Sequence, residues 1–241
     1  MDIEAIRHRL GEEKTAKIKG GLYHRTQIDF AYNSNHIEGS QLTAEQTRNI
    51  FETKSVGLSD TALPVDDIIE AKNHFELFDQ MLDGIDGDLD KNLIKEFHKT
   101  MKTGTTEAAQ AWFVVGDWKK FPNEVSEQPT TAPEAVDSAM DELLGWYKTA
   151  EKNLANIAAF HQKFEAIHPF QDGNGRVGRM IMFRECLKHN VMPFIIDEDH
   201  RLFYYRGLRE FDHQPNFLLD TCRSAQDKYE EIVKYFRVGE K

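Results

Sequence analysis

The sequence predicts an all-α protein, with one mainly helical domain over residues 1–241 and a small β-hairpin attached. Three stretches carry apolar side chains at intervals of three and four residues, the spacing of one helix face. They run from Ile68 to Leu82, from Val136 to Tyr147 and from Leu218 to Phe236. Residues 111–123 break this pattern with β-forming side chains on both sides of Gly116, which predicts the hairpin.

The composition limits the classes of partner that the chain can bind. Hydrophobic residues make up 40% of the sequence, and the formal net charge is −11, so a basic face for nucleic acid is not expected. No stretch approaches the roughly 18 apolar residues of a membrane span. The two cysteines, Cys186 and Cys222, lack the spacing of metal ligands. We expect a cytoplasmic protein without nucleic-acid or membrane partners.

The run His168–Arg179, HPFQDGNGRVGR, carries the chemistry. A helix is predicted over 153–167, and Pro169 cannot continue it, so His168 lies at a helix end. The glycines of the following loop let the backbone approach a ligand closely. A second helix begins near Val177, and a glycine-rich turn before a helix start gathers free N–H groups into an anion site.

The charged residues of this run fit a phosphate ligand. Arg176 and Arg179 lie at the positive end of the helix dipole, where they are best explained by an anion that they face. Asp172 can hold Mg²⁺, which binds through one or two carboxylates plus phosphates. His168 can act as a general base, since imidazole titrates near neutral pH. Taken singly, each has an ordinary reading as a cap, a turn or a solvated charge; the whole run favours a nucleotide-phosphate site.

The same run resembles the Fic family signature H-P-F-x-[D/E]-G-N-G-R-x-x-R and matches every fixed position. The resemblance extends from about Tyr32 to the C-terminal helices. It implies a Fic-fold helical bundle with a β-hairpin flap, ATP and Mg²⁺ as substrate and cofactor, and His168 as the base. The nucleotide-binding positions that it implies are Asp172, Gly173, Asn174, Gly175, Arg176, Val177, Gly178 and Arg179, with Asp172 as the metal ligand and Arg179 at the γ-phosphate.

The resemblance implies further contacts outside the signature. The hairpin at 111–123, with Val114, Val115, Gly116 and Lys119, resembles the flap that aligns a target segment by β-augmentation. The pair Tyr204-Tyr205 resembles the family's contact to the nucleoside; packing on its own helix is the alternative.

An inhibitory segment is implied at 25–60. Ser34-Asn35-His36-Ile37-Glu38-Gly39 fits the family's pattern [S/T]-x-x-x-E-[G/N], with Ser34, Glu38 and Gly39 at the fixed positions. Glu38 bound to Arg179 would occupy the charge meant for the γ-phosphate. The alternative is an exposed glutamate ahead of a helix that Thr43 caps.

The resemblance thus implies a self-inhibited protein adenylyltransferase. It would move AMP from ATP to a Ser, Thr or Tyr hydroxyl of a target protein, and could remove AMP when Glu38 orients water. Homodimers are common among such relatives. Two alternatives stay open: Fic-type transfer of UMP, phosphocholine or phosphate, and a catalytically silent nucleotide-sensing module.

Overall fold

The computed structural model describes residues 2–57, 62–125 and 128–239. Across those ranges the chain forms ten α-helices and one pair of short antiparallel strands, which confirms the all-α prediction. No helix in the described ranges is both long and apolar enough to cross a lipid bilayer. The helices are α1 Ile3–Ala16, α2 Leu22–Ile37, α3 Ala44–Thr53, α4 Val65–Asp83, α5 Lys91–Lys102, α6 Val136–Thr149, α7 Leu154–Ile167, α8 Asn174–Lys188, α9 Arg201–Arg209 and α10 Asn216–Tyr235, and the strands are β1 Glu124–Val125 and β2 Gln128–Pro129.

Helix α8 is the centre of the molecule. Every residue from Asn174 to Leu187 is buried, because α1, α2, α4, α5 and α7 all pack around this helix. A helix enclosed on all sides keeps its polar residues only where other groups satisfy them. The two arginines of its first turns therefore have to find partners inside the protein.

Among the described residues, the start of α8 lacks the side-chain cap that four of the helices have, as do the starts of α2, α4, α6, α9 and α10. Asp2, Thr43, Asp90 and Asn153 each cap the helix that follows with a side-chain oxygen, as preferred N-cap residues do. Helix α8 begins instead at Gly173, with φ of 82°, and no side chain among the described residues caps it. Its first N–H groups are therefore available to an anion.

Helices α2 and α3, within the predicted segment 25–60, are built into the fold. Phe30 and Ile37 of α2 belong to the main core, and a second small core joins α2, α3 and α4. That second core contains Ala31, Leu42, Ile50, Ala71 and Phe75. Thr43 caps α3 as the sequence suggests, in a reciprocal capping box with Gln46. Residues 58–60 lie outside the described ranges.

The hairpin predicted at 111–123 lies elsewhere. The structure has turns and irregular backbone over 111–123, and the strands pair just beyond it, with Glu124 opposite Pro129. One reason is that several backbone N–H groups of 111–123 donate to partners outside the segment. Gly116 donates to Nδ1 of His98, and Lys119 donates to the carbonyl of Pro169. The predicted segment therefore lines the signature loop instead of pairing with itself.

Candidate active site

His168 is held at the end of α7 in a strained conformation. Its φ of 52° and ψ of 61° are left-handed, a region that residues other than glycine seldom adopt, and its N–H donates to the carbonyl of Phe164 at 2.9 Å. Nδ1 lies 3.3 Å from the carbonyl oxygen of Glu165. Because a carbonyl can only accept, Nδ1 carries the hydrogen and Nε2 is left unprotonated. Burial lowers the pKa of His168, so the ring is neutral near pH 7.

Asn174 closes the loop between His168 and α8. Its Oδ1 accepts from the N–H of Phe170 at 2.8 Å, and its Nδ2 donates to the carbonyl of the same residue at 2.9 Å. Phe170 is itself fixed, because its ring stacks on His98 with the centroids 3.9 Å apart. The side chain of Asn174 thus shapes the loop, and only its main chain is left to contact a ligand.

The two arginines of the signature are buried, and both are paired with acids. Arg176 is 4% exposed and pairs with Asp172 and with Glu70 of α4. Burial raises the pKa of Asp172, but the charges of Arg176 and Lys102 lower that pKa by more. The net pKa of this carboxyl is therefore well below its usual value, and the group is ionised. The cations at the start of α8 are therefore already paired with carboxylates of the protein itself.

Arg179 is bound by the segment that the sequence marked as inhibitory. Its Nη2 lies 2.7 Å from Oε1 of Glu38 and donates to the carbonyl of Ser34 at 2.8 Å, while its Nε donates to Oγ of Ser34 at 3.1 Å. A methyl group added to Gly175 would overlap the Glu38 carboxylate. The carboxylate thus lies directly against the start of α8, where an anion would bind. Gly39, with φ of 99°, turns the chain away after Glu38.

Polar side chains lie between Arg179 and the neighbourhood of His168, although no hydrogen bond joins His161 to Glu165 among the described residues. The hydroxyl of Tyr204 lies 3.4 Å from Nη1 of Arg179 and 2.7 Å from Nε2 of His161. Glu165, one turn after His161, has its Oε2 4.0 Å from Nδ1 of His168. Burial, together with the nearby charge of Glu38, raises the pKa of Glu165 to about 8. This glutamate is therefore largely neutral at pH 7 while Glu38 is in place.

The remaining predicted residues fall into three groups. Val177 is part of the hydrophobic core, and Gly178 faces His161 and Glu165, so neither directs a side chain to the start of α8. Tyr204 is buried beside Arg179, whereas Tyr205 is 40% exposed and donates to the carbonyl of Ile37, one residue before Glu38. The other three are Val114 and Val115, both half-buried, and Lys119, which is buried.

Four polar residues of this region were not predicted from the sequence. Glu70, Lys102, His161 and Glu165 come from three different helices and meet only in the folded protein. Glu165 had a detectable signal, because it stands one helical turn before His168. Glu70 and Lys102 had none, since they lie about 70 to 110 positions from the signature residues that they contact.

Comparison with known families gives one match. Residues 88–186 match the Fic/DOC family. A curated protein adenylyltransferase Fic of Nematostella vectensis is 27% identical over 186 residues, covering 76% of this chain and 42% of the relative. One of the same name from Drosophila grimshawi is 28% identical over 214 residues, covering 82% of this chain and 42% of the relative. The chain therefore spans about two fifths of the length of these curated relatives.

Solved structures share the fold at lower identity. A Fic domain containing signaling protein from Bacteroides thetaiotaomicron superposes with a TM-score of 0.74 at 21% identity, covering 88% of this chain and 86% of that protein. A structure of Fic-1 from C. elegans gives a TM-score of 0.70 at 18% identity, covering 99% of this chain and 72% of that one. At this identity the similarity establishes the arrangement of the helices.

Proposed function

We propose, on the premise that this chain belongs to the Fic family, that it transfers AMP from ATP to a hydroxyl group of a target protein. The observation that carries the proposal is the position of His168. Its Nε2 is unprotonated, and the residue stands at the beginning of the loop that leads to the uncapped start of α8. One short run thus supplies both a base and an anion-binding helix start. The names of the curated relatives support AMP as the group transferred.

In the proposed reaction, Nε2 of His168 takes the proton of the target's hydroxyl group while the hydroxyl oxygen attacks the α-phosphorus of ATP. The bond from that phosphorus to the oxygen bridging to the β-phosphate breaks, and pyrophosphate leaves with the bonding electrons. Arg176, Arg179 and the first N–H groups of α8 stabilise the charge on the phosphates. The lowered pKa of His168 keeps the imidazole neutral and competent at pH 7.

Asp172 fits the part of a Mg²⁺ ligand. Its carboxylate is 38% exposed and remains ionised, and the described residues contain no cluster of acids or histidines that could bind a metal alone. That combination suits an ion that takes its other ligands from ATP phosphates and water. When bound, Mg²⁺ would neutralise charge on the transferring phosphates.

We also propose that Glu38 inhibits the enzyme in this conformation. Glu38 and the γ-phosphate compete for Arg179, so that nucleotide binding requires the ion pair of Glu38 with Arg179 to open. Removal of AMP from the modified protein follows as a second activity if Glu38 orients the attacking water. A cytoplasmic location and a homodimeric state stay predictions.

Radiolabelling with ATP tests the transfer. We expect label from α-³²P-ATP to appear on protein, and Glu38→Gly to increase it about tenfold or more, because a charged hydrogen bond that opposes ATP is removed. His168→Ala in the Glu38→Gly protein should lower the labelling about 100-fold. Mass spectrometry of a treated lysate would give the added mass and the acceptor side chain.

Three outcomes of these measurements would contradict AMP transfer. Label arriving from γ-³²P-ATP would indicate kinase-type chemistry, and an added mass of UMP or phosphocholine would indicate another phosphate-linked donor. Tight ATP binding by the Glu38→Gly protein in calorimetry, without modification of any lysate protein, would indicate a nucleotide-sensing module.

A further inference from the structure

A buried lysine lies behind the signature loop. Lys102, the last residue of α5, is 2% exposed, and its ammonium group contacts three carboxylates. Nζ lies 2.6 Å from Oε1 of Glu70, 3.1 Å from Oε2 of Glu107 and 2.5 Å from Oδ2 of Asp172. A lysine is almost never buried unless it is paired, and here the pairing includes a signature residue.

The stem of Lys102 also supports the loop from below. A methyl group added to Gly173 would stand 3.4 Å from Cδ of Lys102 and 3.5 Å from the ring of His98. The side chain of Lys102 therefore lies beside the N-cap of α8, and it is bonded to the loop through the carboxylate of Asp172.

Among the described residues, the side-chain contacts of Asp172 are confined to one of its oxygens. Oδ2 accepts from Nζ of Lys102 and, at 2.9 Å, from Nη2 of Arg176. Within the described part of the chain, Oδ1 has no side-chain donor, and the carboxylate is 38% exposed. The two cations thus hold the carboxylate through Oδ2, and Oδ1 has no side-chain partner among the described residues that would compete with a ligand.

We propose that Lys102 is a positioning residue that holds Asp172 so that Oδ1 can ligate a divalent cation bound with the nucleotide. The inference rests on the proposed function, in which Asp172 is the metal ligand. Groups that hydrogen-bond a metal-ligating side chain without touching the metal fix the orientation of that side chain. Their loss commonly lowers the metal affinity about 10- to 100-fold. Lys102 acts through Asp172 and does not touch the ion.

The charges around Lys102 determine the direction of the effect. Without its ammonium group, Glu70, Glu107 and Asp172 face one another with Arg176 as the remaining cation of the cluster. Repulsion from the other two acids then turns Asp172 away from its present orientation. If Lys102 instead competed with the metal for Asp172, its removal would raise the metal affinity, so the two roles predict opposite signs.

The experiment measures Mn²⁺ affinity by electron paramagnetic resonance in the presence of an ATP analogue that cannot be cleaved between the α- and β-phosphates. All variants carry Glu38→Gly, so that the nucleotide site is open. We expect Lys102→Met to weaken Mn²⁺ binding about tenfold or more. Lys91→Met is the matched control. Lys91 is in α5, like Lys102, and it also pairs with two carboxylates, those of Asp137 and Asp141 in α6. This variant should leave the Mn²⁺ affinity unchanged.

Two further variants keep the test decisive if Lys102→Met does not fold, as judged by circular dichroism. Lys102→Arg keeps the charge but changes the geometry, and we expect it to weaken Mn²⁺ binding several-fold; unchanged binding would overturn the inference. Glu107→Gln removes only the most exposed partner and should change the affinity less than about twofold. Tighter Mn²⁺ binding by Lys102→Met would overturn the proposed role.

Analogue and Mn²⁺ binding by the Glu38→Gly protein, the parent of these variants, distinguishes failure of the proposed function from failure of the role of Lys102. If the Glu38→Gly protein binds neither the analogue nor Mn²⁺, the proposed function fails. If that protein binds both and Lys102→Met binds them equally well, only the role of Lys102 fails.

Discussion

Gly178 stands at a position that the family signature leaves free, and the structure gives it a steric role. A Cβ at this residue would lie 2.7 Å from the ring of His161 and 2.9 Å from Oε1 of Glu165. His161 is bonded to the hydroxyl of Tyr204, and Glu165 lies near the ring of His168. The absence of a side chain at 178 therefore makes room for these two polar side chains between Arg179 and the base.

We predict that Gly178→Ala lowers the free energy of unfolding by about 1–2 kcal/mol, because crowding of His161 and Glu165 outweighs the gain in helix propensity. Gly11→Ala in α1 is the control, since a Cβ there meets nothing within 4 Å and should raise stability by about 0.5–1 kcal/mol. Urea denaturation of both variants measures the two effects. Stabilisation by Gly178→Ala as large as that by Gly11→Ala would contradict the steric role.

The residues of the candidate site show which of its features the sequence can predict and which it cannot. His168, Asp172, Arg176 and Arg179 are recognisable because they fall in one contiguous run, where local backbone rules place a helix end, a loop and a helix start. The partner that Asp172 finds in Lys102 depends on how α5 packs against the loop before α8. That packing is a tertiary property with no local pattern in the chain.

At the scale of elements, Lys119, Asn123 and Thr130 are attached to the end of α7. Lys119 is the attachment: its buried ammonium group donates to Asn123 and Thr130, each at 2.6 Å, and lies 3.4 Å from the carbonyl of Ile167. All of these acceptors are neutral, and burial lowers the pKa of Lys119 to about 8. The hairpin was mislocated from the sequence because β-forming residues on both sides of a glycine cannot reveal that Gly116 and Lys119 bond to other segments.

Lys119→Met should loosen this attachment. Replacing the ammonium group removes the bonds that join Asn123 and Thr130 to the end of α7, so we expect hydrogen exchange over residues 119–125 and 128–130 to accelerate about tenfold. Lys120→Met, at the exposed neighbouring position, is the control and should exchange like the parent protein. Mass spectrometry of the exchanged peptides makes the comparison. Equal exchange in the two variants would show that Lys119 does not hold these residues.

For the whole molecule, the free energy of unfolding depends on titratable side chains that are buried in the core without hydrogen-bond partners. His74 of α4 is fully buried against the ring of Phe30, with the centroids 4.9 Å apart, and neither ring nitrogen has a hydrogen-bond partner among the described residues. Burial, with further contributions from Arg179 and Arg176, lowers its pKa to about 3. The folded protein therefore excludes a proton that the unfolded chain takes up near pH 6.5.

The sign of the resulting pH dependence follows from linkage. Between pH 6.5 and about pH 3 the unfolded state binds more protons at His74, so this residue's contribution to stability is complete above pH 6.5 and falls by about 1.4 kcal/mol per pH unit below it. Phenylalanine at 74 cannot titrate. The stability of His74→Phe relative to the parent should therefore rise as the pH falls.

Urea denaturation of the parent and of His74→Phe at pH 7, 6 and 5 tests this. Any cost of repacking around the larger ring is the same at each pH, and the other titrating groups are common to both proteins, so the difference isolates His74. We expect the difference in the free energy of unfolding to change by about 1.4–2 kcal/mol in favour of Phe between pH 7 and pH 5. Parallel pH profiles would mean that His74 can take up a proton in the folded state, and that the core beside Arg176 and Arg179 admits another charge.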